Sequence, residues 1–422
     1  MTTDGNSEPS ALGRTTFQHG DIKEDRHTQE AQSHIIDEQL VKKTANILLD
    51  DGQPSLDTTA LAKLRAANLN QVEKNANIIL NNDNKGSLQF TTKLLLKESN
   101  RHEARKNISS LVDEEIDALG QVTEAWWTTG AHVIPQYLIE DVDDNVKALL
   151  PDGTEIISID PHGNSTWSRT AEIQTELDGE TVSYFIKVNN YRSGEVMYNC
   201  EFESLKAIYD AVPGFCPRPI GRGHYANDPS VHFLLSTFVD MLDGEPADPV
   251  LLPQRLAEMH QKALAPDGQY GWHVTMASGQ LPVRLSKSLS WEDFFSRYLN
   301  LLFCAEEIAQ GARPREMERL VKVLFNRIIP RLLRPLETGG REIVPRLLHT
   351  DLWDGNASVD EDGSPIIFDP CSMYGHNEFD LGVWTNPRVV TGWPFVNSYH
   401  NFFERSAPEE DHGGRNIREY HL

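Results

Sequence analysis

Long apolar runs are missing from this 422-residue sequence: none approaches the roughly 20 residues of a membrane-spanning helix. The first residues, MTTDGNSEPS, are polar and lack the apolar centre of a secretory signal. Cysteine is scarce. Cys200, Cys216, Cys304 and Cys371 form no CxxC pair and no zinc-ligand spacing, so reduced thiols in a cytoplasmic protein are expected. Positive charge is also scarce, with 39 Lys and Arg against 63 Asp and Glu and a formal net charge of -24. Such a surface repels phosphate backbones, and no basic patch interrupts it. The expectation is a protein with no nucleic-acid partner and no membrane, for which a cationic substrate is easier to attract than an anionic one. The length suffices for two or three domains and for a core that needs no disulfides.

Along the chain the composition changes twice. Residues 1–33 are polar without apolar periodicity and read as a disordered tail. Residues 34–130 form an extension with a weak internal echo, VKKTANILLDD at 41–51 against VEKNANIILNN at 72–82. Each copy is followed by a glycine, Gly52 and Gly86, which suits either two helices with glycine ends or a pair of β-arches. From about residue 133 strand signals begin. A short helix is expected over 142–150 and strands over 155–159, 170–177, 184–188 and 233–239. Asp178-Gly179 marks a hairpin turn. Helical spacing covers 200–210, and then 251–264, 291–310 and 315–336. Strands with one helix, followed by a helical lobe, predict an α+β, protein-kinase-like two-lobe fold. The antiparallel-sheet lobe spans 136–240 with its hinge and the helical lobe 241–422, with a ligand site between them.

The segment LLHTDLWDGNASVDEDGSPIIFDP carries the most chemistry. His349-x-Asp351 followed by Asn356 has the spacing of a kinase catalytic loop. A turn at Glu361-Asp362-Gly363 leads into an apolar strand that ends at Asp369. Phosphoryl transfer asks the protein for positioning and charge neutralisation. Asp351 is the candidate to orient an attacking hydroxyl and take its proton late. Asn356 and Asp369 are the candidate magnesium ligands, since Mg2+ takes oxygen donors. Lys187, at the end of the apolar strand YFIKV, is the candidate for the nucleotide phosphates. Glu201 is its candidate helix partner, with Glu203 as the alternative. Gly163-Asn164-Ser165 is either a phosphate-covering turn or a simple β-turn. Residues 236–240 (STFVD) stand where a hinge would hold adenine near Thr237 and Val239.

These stretches resemble the fructosamine/ketosamine 3-kinase family. HTDLWDGN is similar to the family's H-G-D-L-W-x-G-N, and IIFDPCSMYGHNEFDL to its V-I-F-D-P-A-S-F-Y-G-H-x-E-x-D-L. YFIKVN, CEFESLKAI, HGNSTWSRTAEI, GWHVTMASGQLP and SWEDFF also match the pattern. The resemblance implies ATP-dependent, Mg2+-assisted phosphorylation of the sugar 3-hydroxyl of a ketosamine, the adduct of a reducing sugar on a protein lysine. ATP and a ketosamine-modified lysine or glycated protein are then the expected partners. Trp353 suits either stacking on the sugar or packing against the helical lobe. His376 and Asp380 read as structural, with Asp380 either a cap or a loop anchor beneath the site.

The sequence departs from the family in three places. Thr350 replaces a glycine, and a β-branched residue adopts positive φ only at a cost. The family continues with a further helix beyond the final GGRNIREYHL, which predicts an incomplete C-lobe. The first ~130 residues have no family counterpart. Two other readings stay open: a different hydroxyl phosphotransferase of the aminoglycoside or choline kinase kind, and a non-catalytic pseudokinase that binds partners through its N-terminal extension.

Overall fold

The computed structural model describes residues 133–242 and 247–420. The tail expected over 1–33 and the repeat-bearing extension expected over 34–130 lie outside the described residues. A single helical turn, α1 (Asp144–Lys147), stands where a longer helix was expected. Asp143 caps it by accepting from the Asn145 N–H at 2.9 Å. Then follow β1 (Glu155–Pro161), β2 (Arg169–Leu177), β3 (Glu180–Asn189), helix α2 (Gly194–Ala211), β4 (Pro219–His224) and β5 (His232–Thr237). The five strands form one sheet in the order β1-β2-β3-β5-β4, every pair antiparallel. The β2–β3 turn is Asp178-Gly179, with φ of 54° and 83°. Two left-handed residues match the twist of the strands they join.

Side-chain alternation divides the sheet into two faces. Ile173, Ile186, Val188, Phe233 and Leu235 point to one side and share a core with Val146. Phe185, Lys187 and Leu234 point to the other. The sequence pattern did not reveal β4, because PIGRGH has a proline and two glycines where strands favour β-branched residues. It is an edge strand, where proline is tolerated, and its register slips between Pro219 and Gly221.

Beyond β5 the structure is mostly helical. Helix α3 (Leu251–Lys262) precedes a small hairpin, β6 (Met276–Ser278) and β7 (Leu281–Val283). Helix α4 (Trp291–Gln310) begins at Ser290, whose side chain accepts from the Asp293 N–H, and ends at Gly311. The helix expected over 315–336 is broken into pieces. They are α5 (Arg315–Val323), a π-turn, α6 (Ile329–Leu333) and a final 3-10 turn. Pro330 and Pro335 each remove an amide donor, and the chain accommodates them by changing its winding. Strand β8 (Arg346–Leu348) leads into the hairpin β9 (Ala357–Val359) and β10 (Pro365–Ile367), and β11 (Met373–Gly375) returns to pair with β8. Helices α7 (Glu378–Trp384), α8 (Gly392–Tyr399) and α9 (His412–Tyr420) close the lobe. Trp291 is fully buried at its centre, with Tyr270, Phe295 and Phe379 within 6.0 Å between ring centroids. Cys200, Leu205 and Ile208 of α2 belong to this same large core. Helix α2 therefore joins the sheet lobe to the helical one. Among the described residues no helix is long and apolar enough to cross a membrane.

One buried ion pair ties α9 to α7. The Arg415 guanidinium donates to both Glu378 oxygens, at 2.7 and 3.2 Å, and neither side chain is exposed. Burial alone would raise the Glu378 pKa, but His376 and Arg415 overcome it and hold the carboxyl at about 2. A carboxyl depressed in the fold stabilises above its unfolded value of 4.5, and that stability is lost as pH falls toward 2. Arg415→Met strands a buried carboxylate. It is expected to cost about 3–5 kcal/mol at neutral pH, and the deficit should shrink as pH drops from 4.5 toward 2 and Glu378 protonates in the wild type. Denaturant unfolding across that range checks it.

Candidate active site

The loop between β8 and β9 is fixed from below by one carboxylate. Asp380, 1% exposed on α7, accepts from the backbone N–H of His349 and of Thr350, each at 2.8 Å. It also meets His260 Nε2 at 3.2 Å. This is the loop-anchor position read from the sequence. His349 is fully buried with Nε2 2.9 Å from the Phe368 carbonyl, and burial pushes its pKa down, so it crosses the loop as a neutral ring. Thr350 does adopt positive φ, at 69°. Its hydroxyl donates to the Cys371 carbonyl at 2.7 Å. Two hydrogen bonds thus hold a residue type that disfavours this conformation by about 1–2 kcal/mol.

From this base the loop presents Asp351 and Asn356. The Asn356 Nδ2–H donates to the Asp351 carboxylate at 3.0 Å and to the Asp351 carbonyl at 2.8 Å. That leaves the amide oxygen as the atom able to take a metal. The Trp384 indole N–H donates to the Leu352 carbonyl at 2.9 Å and holds the middle of the loop. Across the β9–β10 hairpin the Phe368 N–H donates to the Asn356 carbonyl at 3.1 Å. This brings Asp369, itself at φ 57°, beside the loop.

Lys187 reaches the same place from β3. Its ammonium donates to Glu201 of α2 at 2.6 Å and to Asp369. Burial acts to lower the lysine pKa, but the two carboxylates outweigh it and keep the ammonium above its ordinary value. Burial, and then the charge of Asp369, push the Glu201 carboxyl up to about 7 against the pull of Lys187. Glu203, the alternative partner, points elsewhere and meets His273 Nε2 at 3.1 Å.

Two cavities meet here. The first, about 310 Å³, is walled by Phe185, Leu234, Thr237, Phe238, Val239 and Met241. Thr237 and Val239 both line this cavity, although the Thr237 N–H already donates to the Arg218 carbonyl. Gly163, Asn164 and Ser165 form the β1–β2 loop over this cavity. The second, about 390 Å³, holds Asp351, Asn356 and Trp353. Trp353 is 43% exposed and lies over its own loop. A Cβ at Gly355 would come 2.1 Å from its ring, so a larger residue there would push the indole aside. Sequence reasoning missed the aromatic wall of the first cavity: Phe185, and His162, whose ring meets Phe238 at 4.8 Å. Phe185 stands two residues before Lys187, and strand alternation alone puts both on one face.

A fructosamine kinase family model matches residues 162–412, more than half of the chain. The chain belongs to the fructosamine kinase family. A chloroplastic protein-ribulosamine 3-kinase of Oryza sativa subsp. indica is 35% identical over 221 residues, which is 51% of this chain and 59% of that relative. The match thus spans less than two-thirds of the rice protein. Ketosamine-3-kinase of Mus musculus is 32% identical over 257 residues, 56% of this chain and 79% of the mouse protein. A crystal structure from Thermobifida fusca YX-ER1, a provisional fructosamine-3-kinase, superposes with a TM-score of 0.52 at 21% identity. It covers 67% of this chain and 89% of that one, a likeness of fold.

The strain at Thr350 is measurable. Thr350→Gly removes the strain but also the hydroxyl bond and adds backbone freedom, so stability should change by no more than about 1 kcal/mol. Thr350→Val keeps the strain and loses the bond, and should cost about 1–3 kcal/mol. Denaturation midpoints of the two variants test this ordering.

Proposed function

We propose that the protein transfers the γ-phosphoryl group of ATP to the sugar 3-hydroxyl of a ketosamine on a lysine side chain, which promotes removal of the adduct. The observation that carries this reading is the convergence of Lys187, Asp351, Asn356 and Asp369, from three separate elements, at the boundary of two adjoining cavities. Family membership supports the chemistry, and the names of the rice and mouse relatives support the acceptor.

In this reading the sheet lobe, residues 136–240, holds the nucleotide. Adenine lies between Phe185 and the Thr237–Val239 hinge, and the Gly163-Asn164-Ser165 loop covers the phosphates. Lys187 neutralises phosphate charge, with Glu201 fixing its ammonium. The helical lobe, residues 241–422, holds the acceptor. Asp351 takes a hydrogen bond from the attacking hydroxyl and accepts its proton as the bond to phosphorus forms. The Asn356 amide fixes which Asp351 oxygen faces outward. Trp353 offers an aromatic face to the sugar's C–H surface.

The donor set suits magnesium. Asn356 and Asp369 contribute hard oxygens, and Mg2+ is commonly held by one or two side chains together with substrate phosphates. Among the described residues no cluster of three or more His, Cys, Asp or Glu side chains could hold a metal, which fits a site completed by nucleotide oxygens. When bound, magnesium would neutralise charge on the phosphate oxygens. We place the activity in the cytoplasm, where ATP and glycated lysines occur together.

The test is phosphate transfer from Mg-ATP to ribulosyl-lysine and fructosyl-lysine. Wild type should form a 3-phosphate, and Asp351→Asn should lower kcat by about a hundred- to ten-thousand-fold. Mg-ATP should still raise the melting temperature of that variant, because nucleotide binding stabilises the fold by mass action. ATP-dependent stabilisation without turnover of either ketosamine by the wild type would overturn the reading.

A further inference from the structure

The two cavities share a seam and differ on either side of it. Asn164, Ser165, Lys187, Glu201, Phe368 and Asp369 touch both. On the acceptor side stand Asp351 and two tryptophans, Trp353 and Trp167. Trp167 has no role in the reaction as derived so far. It leaves the β1–β2 loop two residues after Ser165, whose hydroxyl accepts the Trp167 N–H at 3.2 Å. The next residue, Ser168, is buried and bonded to the Tyr198 hydroxyl of α2 at 2.9 Å. The loop is therefore tied on both sides of Trp167.

The indole then crosses to the other lobe. A Cβ at Gly279, in the turn between β6 and β7, would lie 3.2 Å from its Cζ2 atom and 3.7 Å from Cη2. The benzene half of the ring faces the glycine, where any side chain would crowd it, while the side chain as a whole stays 41% exposed. A ring that bridges two lobes, lines the cavity of Asp351 and keeps much of its surface open is placed to meet a ligand.

We propose that Trp167 is a specificity-determining residue of the acceptor cavity, which receives the secondary ammonium and methylenes of the modified lysine. This rests on the ketosamine reading above. The nitrogen that joins sugar to lysine is a secondary amine, protonated near neutral pH. An indole face attracts such a cation and covers the adjoining CH2 groups. The Gly279 contact sets the ring in advance, so binding does not have to immobilise it. Sugars without the amine lack this contact.

Steady-state kinetics of the full chain on ribulosyl-lysine test the assignment, with Trp167→Leu, Trp167→Phe and Gly279→Ala. Trp167→Leu keeps apolar bulk but loses the π face. It should raise the acceptor KM about tenfold, with kcat and the ATP KM unchanged. Trp167→Phe should restore most of the loss. Gly279 lies at φ 55°, which itself strains alanine, so Gly279→Ala is read as a pair: it should raise the acceptor KM in the wild type and add nothing in the Trp167→Leu background, and Trp167→Phe carries the test should Trp167→Leu fail to fold. An unchanged acceptor KM, an ATP KM that rises equally, or a phenylalanine variant no better than leucine would each overturn the proposal alone. Failure of the wild type to turn over any ketosamine is a failure of the parent reading and removes this one with it.

Discussion

A single ammonium group holds the site together. Lys187 extends from the middle strand of the sheet and meets one carboxylate from α2 and another from the loop after β10. Each element reaches this point for its own reason. Strand alternation turns Lys187 away from the core that Ile186 and Val188 fill. Glu201 lies on a helix whose apolar residues pack into the helical lobe's core. Asp369 follows a strand pinned by the hairpin to the loop that carries Asn356. Two carboxylates around one buried lysine leave an excess of negative charge, and burial makes that excess costly. The rise of the Glu201 pKa expresses this cost. On the proposed function a metal-bound nucleotide would draw on Asp369 and present its own oxygens to the lysine, which would relieve this excess.

Below that cluster the loop geometry depends on Asp380. Two successive backbone amides donate to one buried carboxylate, and this forces the chain to turn sharply at Thr350. Glycine would satisfy such a turn without strain. Threonine does so because its hydroxyl gains a partner in the Cys371 carbonyl, on the segment that follows Asp369. The departure from the family pattern therefore has a local compensation. The same bond links the loop of Asp351 to the chain of Asp369, so the two carboxylates are positioned relative to each other twice, through the hairpin and through Thr350.

Much of this was legible in the sequence where one residue type has one strong reason to be present. The β2–β3 turn could be read from Asp178-Gly179, α4 from its apolar spacing, and the hairpin that joins Asn356 to Asp369 from its turn at Glu361-Asp362-Gly363. Elements whose stability comes from distant packing were not legible. Strand β4 carries glycines and a proline and exists because β5 offers it a partner. Helix α7 is only Glu378–Trp384 and is entirely buried, so it has no polar face to create a helical period. The helical run after Arg315 kept its period across two prolines, and the period could not show that the winding would change. The aromatic wall of the first cavity was missed for a related reason. A search for charged groups passes over Phe185, whose contribution is shape.

If the protein transfers phosphate as proposed, positioning makes the register of the two lobes the decisive variable. A shift of about 1 Å between phosphate and hydroxyl can cost a hundredfold in rate. Here the lobes touch at several points around the seam. Lys187 meets Asp369 at its centre, the Ser372 N–H donates to the Ser204 hydroxyl of α2 at 2.9 Å behind it, and Trp167 faces Gly279 beside the cavity of Asp351. The first is ionic and lies where the two cavities meet. The second is buried. On the proposed function, nucleotide and acceptor would bear on the same lobe alignment from opposite ends, with α2 the element between them. If the proposed function holds, phosphate would move only when both ends are filled, because each ligand would supply contacts that fix the alignment the other requires.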